Sequence, residues 1–284
     1  MENLSQAPHV LRDMRSRYKL GRPPQEGEEL EKNMEDYLFT NLRDGISGLF
    51  MAQTSDELCR RKGVVREQAD DFAALSHQRT ENSVSSGKWK QEIVDVETAE
   101  GIVGHSKEDH VVIGTTKESL SSLRTHFGPD SLVTAGNASG VVDGAAAVII
   151  KSASRAKEDG NEPLARIVSW GIVGIEPAIM AYGPVPSSQK ALAKAGLSPG
   201  DIERWEINEA FAGQTVACIQ DLGIDPDIVN VNGGAVGLGH PLAATGTRLV
   251  LTLAHELKSS GSRFGVSTAC IGGGQGIAVV IEAI

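Results

Sequence analysis

The chain has 284 residues, 40% of them hydrophobic and 4% aromatic, with 37 acidic against 27 basic side chains and a formal charge of -10. That length and balance give a globular core of one large or two small domains, and the negative charge argues against a nucleic-acid surface. The sequence has no apolar run near the ~20 residues needed to cross a bilayer and no signal-like start, so membrane insertion and secretion are not expected. Cys59, Cys218 and Cys270 stand in no CxxC spacing, and the histidines form no HExxH pair. Neither a disulfide framework nor a metal site is expected, and a reducing intracellular compartment fits.

Residues 1–133 are polar and interrupted and read as an excursion rather than core. A basic stretch (Arg12, Arg15, Arg17, Lys19, Arg22) precedes an acidic one at 26–36. The best helix there starts near Arg66, where Ala69, Phe72, Ala73 and Ser76 recur at i, i+3, i+4 and i+7, so that one face packs. Cys59, in ELCRRK, reads as lying on a solvated helix. From 134 the texture changes: TAGNASGVVDG is rich in turn formers, and AAAVIIKS suits a buried strand.

Beyond residue 163, apolar stretches at LARIVSWGIVG, IERWEIN, IVNVNGG, FGVSTACIG and GIAVVIEAI alternate with helical patterns at 188–195, 209–222 and 241–260. In the last, Leu242, Gly246, Leu249, Val250, Leu253 and Leu257 share a face, with Pro241 opening the helix and Gly261 closing it. The alternation predicts an α/β layered fold, with the two terminal strands adjacent across a glycine turn.

Four segments could carry chemistry. WEINEAFAG ends a strand in Asn208 and Glu209, where open α/β sheets place ligands, though an asparagine there is also an ordinary helix cap. NVNGGAVGLGHPLAATG leads four glycines (Gly233, Gly234, Gly237, Gly239) into His240 at a helix start. The helix dipole there disfavours imidazolium and keeps the ring available as a base or oxyanion donor; such loops also bind anions or simply close turns. STACIGGGQGIA sets Cys270 before three glycines whose N–H groups could approach a reacting carbonyl, although free cysteines commonly just pack. TAGNASG could meet an elongated ligand through its backbone and Ser139, or be a turn.

The run WEINEAFA, NVNGGAVGLGHPLAATG, STACIGGGQGIA resembles the carboxyl-terminal signatures of the thiolases, most closely the mitochondrial-type and bacterial 3-ketoacyl-CoA thiolases. ENLSQAPHV, SGLFMAQTSDEL, REQADDFAALSHQR, TAGNASGVVDGAAAVII and PLARIVSWGIVG are similar to thiolase segments in the same order. The resemblance implies an acyl-CoA C-acyltransferase that cleaves a 3-ketoacyl-CoA with CoA or condenses two acyl-CoA molecules in reverse. Coenzyme A and acyl-CoA are then substrates, with no covalently bound cofactor. It implies that His240 activates the nucleophile and binds a thioester oxygen, that Asn208 orders a water beside it, that Cys270 is the acid/base, and that Gly272 lends an N–H to a second oxyanion hole. Ser139 and Ala138 would lie along the pantetheine arm, and Phe50 and Met51 near the substrate.

The implied fold is a thiolase-like layered α/β fold: a loop domain at 1–133, the end of the N-terminal half at 134–162, and a complete βαβαβαββ-type half at 163–284. The family's nucleophilic cysteine sits in a CSSG-like or CGSG-like segment, which this sequence does not contain. Cys59 and Cys218 lack the glycine or helix-start setting that lowers a thiol pKa. The expectation is therefore an N-terminally truncated thiolase sequence, with a non-catalytic CoA-binding or scaffolding subunit as the alternative. A homo-oligomer (dimer or tetramer), or a chain supplying the missing half, is the expected partner, in the bacterial cytoplasm or mitochondrial matrix. Val112 stands where a basic residue is common in the family, Ala243 where glycine is frequent, and Phe50 where some relatives have histidine.

Overall fold

The computed structural model describes residues 3–11, 34–99, 101–104 and 110–284. The basic run Arg12, Arg15, Arg17, Lys19 and Arg22 and most of the acidic run after it lie outside the described residues.

Among the described residues the amino-terminal portion has two short antiparallel strand pairs, β1 (His9–Leu11) with β2 (Met34–Asp36) and β3 (Val96–Thr98) with β4 (Gly101–Val103). Its helices are α1 (Tyr37–Asn41), α2 (Met51–Lys62), α3 (Arg66–Ser85), α4 (Lys117–Ser121) and α5 (Ala153–Glu158). Helix α2 ends at Gly63, whose left-handed φ of 69° a side chain would strain. Helix α3 buries Ala69, Phe72, Ala73, Ser76 and Thr80 on one face, as its periodicity predicts.

These helices are not an excursion from the core. Ala69, Phe72 and Ala73 join Trp205, Ile207 and Ile219 in one apolar cluster, and Leu58 and Cys59 join Met180 and Ala217 in another. The expected solvated Cys59 is buried, because α2 turns that side toward the carboxyl-terminal helices. The charges of ELCRRK occupy the other side, where Glu57 pairs with Arg60 and Arg61. Sequence texture registers the polar outer faces of α2 and α3 and misses their narrow inner ones.

The carboxyl-terminal portion is a mixed four-stranded sheet of order β5-β8-β7-β6, formed by β5 (Ala165–Gly174), β6 (Arg204–Ile207), β7 (Phe264–Ile271) and β8 (Gln275–Ala283). β7 and β8 form the expected hairpin, while β6 runs parallel to β7. Helices α6 (Pro184–Ala195), α7 (Ala212–Leu222), α8 (Ala235–Leu238) and α9 (Leu242–Ser260) intervene. Gly265 of β7 faces Leu253 of α9, whereas Thr268 faces Ser187 of α6. Their opposite parity puts the two helices on opposite faces of the sheet.

Three local expectations change. IVNVNGG forms no extended strand; only a single parallel bridge, Trp205 to Val229, continues the sheet past β6. Helix α9 buries Thr245, Leu249, Thr252, Leu253, Glu256 and Leu257, leaving Leu242 39% exposed. The face is rotated because Glu256 is drawn inward by Lys88, Asn232 and Arg204. AAAVIIKS forms no strand and is not buried: Ile149 and Ile150 are 87% and 72% exposed. It is extended apolar chain with no neighbouring strand among the described residues, and an unpaired edge cannot bury itself.

Candidate active site

Where the carboxyl ends of β6 and β7 meet the loop before α9, a cavity of about 610 Å³ opens. Its lining includes Ala138, Ser139, Phe50, Met51, His240, Cys270 and Gly272. These sequence-expected residues come from separate segments of the chain. Asn208 does not line the cavity; it is fully buried behind His240.

The ring of His240 is held on both sides. Its Nε2 is 3.2 Å from Asn208 Nδ2, and its Nδ1 is 2.6 Å from Thr245 Oγ1. The Thr245 hydroxyl donates in turn to Pro241 O at 3.0 Å. A hydroxyl that donates to a carbonyl accepts from Nδ1–H, which leaves the single Nε2 lone pair accepting from Asn208 Nδ2–H. The reverse tautomer would strand the buried amide N–H groups of Asn208 instead of its carbonyl, the costlier choice. Asn208 Oδ1 is buried without a hydrogen-bond partner among the described residues. Burial, with Arg248 nearby, pulls the imidazole pKa down to about 4. The ring is therefore neutral at pH 7.

Cys270 is the penultimate residue of β7 and half-buried at the cavity wall. Burial pushes its thiol up to about 12, so it rests protonated, and its thiolate would be a strong base. Gly272 follows in the turn to β8, exposed to the cavity. Cys59 and Cys218 are buried in the apolar interior beneath; desolvation pushes Cys59 to about 12 and raises Cys218 as well.

The glycines before His240 serve close packing. A Cβ on Gly234 would come within 2.2 Å of the Glu209 carboxyl, and one on Gly233 within 2.1 Å of Thr80. Glu209 is fully buried and accepts from Ser76 Oγ (2.6 Å), Asn230 Nδ2 (2.7 Å) and Val236 N (3.0 Å), fastening this loop to α3. Burial nonetheless raises its pKa. The TAGNASG segment is laced between the other two: Ser139 N and Oγ both donate to Ala210 O, at 3.1 and 3.0 Å, and Gly140 O accepts from His240 N at 2.8 Å. It is a built wall rather than a free turn.

The opposite wall is aromatic, with Phe50 tilted against Phe39 at 4.8 Å and Phe127 at 5.6 Å between centroids. Val112 is exposed. Among the described residues no group of three or more His, Cys, Asp or Glu is placed to hold a metal, and no helix is long and apolar enough to cross a membrane. Sequence reasoning missed Thr245, which is signalled only by its place one helical turn beyond His240-Pro241.

Known proteins share this arrangement of segments. The family description "Thiolase, N-terminal domain" matches residues 1–154, and "Thiolase, C-terminal domain" matches residues 161–283. The chain is 41% identical to an acetyl-CoA acetyltransferase of Allochromatium vinosum, over 99% of its own length and 70% of the relative's. It is 43% identical to the mitochondrial 3-ketoacyl-CoA thiolase of Homo sapiens, over 99% of its own length and 69% of the relative's. A crystal structure of human mitochondrial 3-ketoacyl-CoA thiolase superposes with a TM-score of 0.90 at 42% identity, covering all of this chain and 70% of that one. A structure of the human enzyme in complex with CoA gives 0.91 at 41% identity, covering all of this chain and 69% of that one.

Proposed function

The chain belongs to the thiolase family, and from that premise we propose that it is an acyl-CoA C-acyltransferase, cleaving a 3-ketoacyl-CoA with CoA or running the condensation in reverse. The observation that carries the reading is the convergence on one cavity of a neutral imidazole, a protonated thiol and the backbone of Gly272. A carbon–carbon cleavage next to a thioester needs those three functions together.

In the cleaving direction the His240 Nε2 lone pair gives up its hydrogen bond from Asn208 to take the proton of the attacking thiol, and the thiolate adds to the 3-keto carbon. The C2–C3 bond then breaks with its electron pair moving to C2, so that the thioester becomes an enolate whose oxygen accepts from the Nε2–H that His240 has just gained, while Gly272 serves the second oxyanion hole, at the carbon under attack. The Cys270 S–H protonates C2, releasing the shorter thioester, and the proton on His240 returns to Cys270 through solvent. Asn208 holds the imidazole in register, and its unpartnered Oδ1 suits a water bridging to the carbonyl oxygen. A thiol pKa near 12 favours this role, because proton transfer to and from carbon is better matched by a strong base than by an acidic thiol. Neither Cys59 nor Cys218 is placed to be the attacking thiol, both being buried with raised pKa values.

The substrates are CoA thioesters, with Ser139 and Ala138 along the pantetheine arm and Phe50 and Met51 on the opposing wall. The similarity to the human thiolase solved in complex with CoA supports that assignment. Bacterial and mitochondrial relatives support an intracellular setting, and the exposed run at 148–150 supports an oligomer. The test is thiolysis: acetoacetyl-CoA and CoA are supplied, and acetyl-CoA is measured chromatographically. Formation of acetyl-CoA that falls about 100-fold or more in His240→Ala is expected; formation indifferent to that substitution would overturn the reading.

A further inference from the structure

A row of buried polar pairs joins β6 to α9 and ends at His240. Arg204, Glu206 and Asn208 alternate along β6 and past its end, so their side chains share one face. The β6–β7 register sets Arg204 beside Gly265, where a Cβ would meet Leu253 of α9, so that face is the one α9 covers. Each of the three meets a partner on or just before α9. Arg204 Nε donates to Glu256 Oε1 at 3.1 Å, Arg248 Nη1 donates to Glu206 Oε2 at 3.2 Å, and Asn208 Nδ2 donates to His240 Nε2 at 3.2 Å. Glu206 is 1% exposed, and Arg248 Nη2 is buried with no partner among the described residues, so Glu206 is what orients the guanidinium.

On the helix, Arg248, Thr252 and Glu256 follow at i, i+4 and i+8 and form a polar stripe beside an apolar one of Leu249, Leu253 and Leu257. Leucine packing is non-directional, so it sets how far α9 stands from the sheet and leaves its position along the sheet open. Hydrogen bonds are directional. Arg248 and Glu256 lie about 12 Å apart along the helix, whereas Glu206 and Arg204 lie about 7 Å apart along the strand. Steps of unequal length cannot be re-formed after a slide, so the stripe has one register. A second row of contacts fixes its outer side, with Thr252 Oγ1 donating to Glu92 Oε2 at 2.6 Å and Lys88 Nζ to Glu256 Oε2 at 2.9 Å. The ring of His240 travels with the helix, because its Nδ1 is bonded to Thr245 in the first turn.

We propose that Arg248 is a positioning residue for the reaction: paired with Glu206 across the gap between sheet and helix, it fixes α9 along β6 and thereby sets the His240 ring against Asn208. A buried pair of this kind adds little to stability over apolar side chains of the same volume, and its best-attested use is to fix register. The catalytic consequence rests on the reading of the cavity as a thioester site, while the placement of the ring does not.

The experiment separates placement from stability with the double variant Glu206→Leu/Arg248→Met, which fills the same space without the pair. Two readouts are taken at about pH 7.5, above the ~6.5 of a free imidazole, so that the ring is neutral with or without the nearby cation. They are the 15N shift of His240 Nε2, and kcat and KM for acetoacetyl-CoA thiolysis. The double variant is expected to melt within about 3 °C of the unsubstituted protein or above it. Its Nε2 shift is expected to move toward that of a neutral imidazole without a donor, and its kcat to fall about 10- to 100-fold with KM changed less than about twofold. Glu206→Gln, which keeps an acceptor for Arg248, is expected within about threefold in kcat with the shift unchanged. Arg248→Lys keeps the charge but not the reach of the guanidinium, and is expected to lower kcat about fivefold with a smaller move of the shift in the same direction. An unchanged Nε2 shift in the double variant, or in Arg248→Lys where the double variant does not fold, overturns the proposal, as does thiolysis that keeps its kcat. Absence of thiolysis by the unsubstituted protein removes the thioester reading and leaves the shift to judge the placement of the ring.

Discussion

Thr245→Val isolates the tautomer of His240. Valine fills the volume of threonine at a position 1% exposed, so packing is conserved and the hydroxyl alone is lost. What disappears is the acceptor 2.6 Å from Nδ1. A neutral hydrogen bond contributes about 1 kcal/mol, and the buried N–H left without a partner costs a further ~1–3 kcal/mol. Because α9 and Asn208 hold the ring, the cheapest escape is for the proton to move from Nδ1 to Nε2, where it blocks the lone pair that accepts from the attacking thiol. The Asn208 amide that the reverse tautomer leaves stranded opposes this move, so the net bias toward the wrong tautomer is about 1–2 kcal/mol, a loss of roughly 5- to 30-fold in kcat/KM for thiolysis. The assay is acetoacetyl-CoA thiolysis at neutral pH, with 15N shifts of the labelled imidazole reporting the tautomer. Thr245→Ser, which restores the hydroxyl, is expected within about threefold of the unsubstituted protein. Full activity in Thr245→Val with unchanged 15N shifts would refute the reasoning.

Other predictions concern ionisation and the residues that support the site. The acid limb of kcat/KM assigned to His240 is expected near pH 4, where burial places it, rather than near the ~6.5 of a free imidazole; a limb at 6.5 would contradict the buried neutral ring. The same depressed pKa makes its contribution to stability complete above ~6.5 and lost as pH falls toward 4, because the unfolded chain takes up the proton first. Glu206 has the opposite sign: burial raises it to about 8 despite Arg248 at 3.2 Å, so the folded state keeps its proton longer than the unfolded chain. Stability attributable to it is present below ~4.5 and lost as pH rises through 8, and urea titrations at several pH values should show Glu206→Gln flattening that slope. Glu209→Ala strands three donors and is expected to cost about 3–5 kcal/mol, read as a fall of roughly 6–15 °C in Tm; a shift under ~2 °C would show that the carboxylate is not the fastening.

Parts of the fold and site are legible in the sequence for identifiable reasons. The β7–β8 hairpin and α3 can be read because each has its own period and its own punctuation, as with Gly272–Gly274 in the hairpin turn. His240, Cys270 and Gly272 can be read because each ends or follows a regular element, where side chains and N–H groups face a sheet's open end. Contacts between distant segments cannot. The bond from Asp44 to Gly273 spans 229 residues, and the inward face of α2 is only Leu58, Cys59 and a few small residues among charges. The run at 148–150 departs from expectation for a related reason, since an apolar run states a preference for burial and not whether a neighbour supplies it. The rotation of α9 follows from Glu256, a charged residue whose partners Lys88 and Arg204 lie far away in sequence.

The proposed chemistry turns on Cys270 exchanging protons with the carbon next to a thioester. The measurement that tests this most directly is the rate at which the purified protein replaces the methyl protons of acetyl-CoA with deuterium in D2O, followed by 1H NMR, alongside Cys270→Ala. Loss of the methyl signal with the unsubstituted protein, reduced about 100-fold or more by Cys270→Ala, is the predicted result. Exchange at equal rates in the two proteins, or none in either, would contradict it.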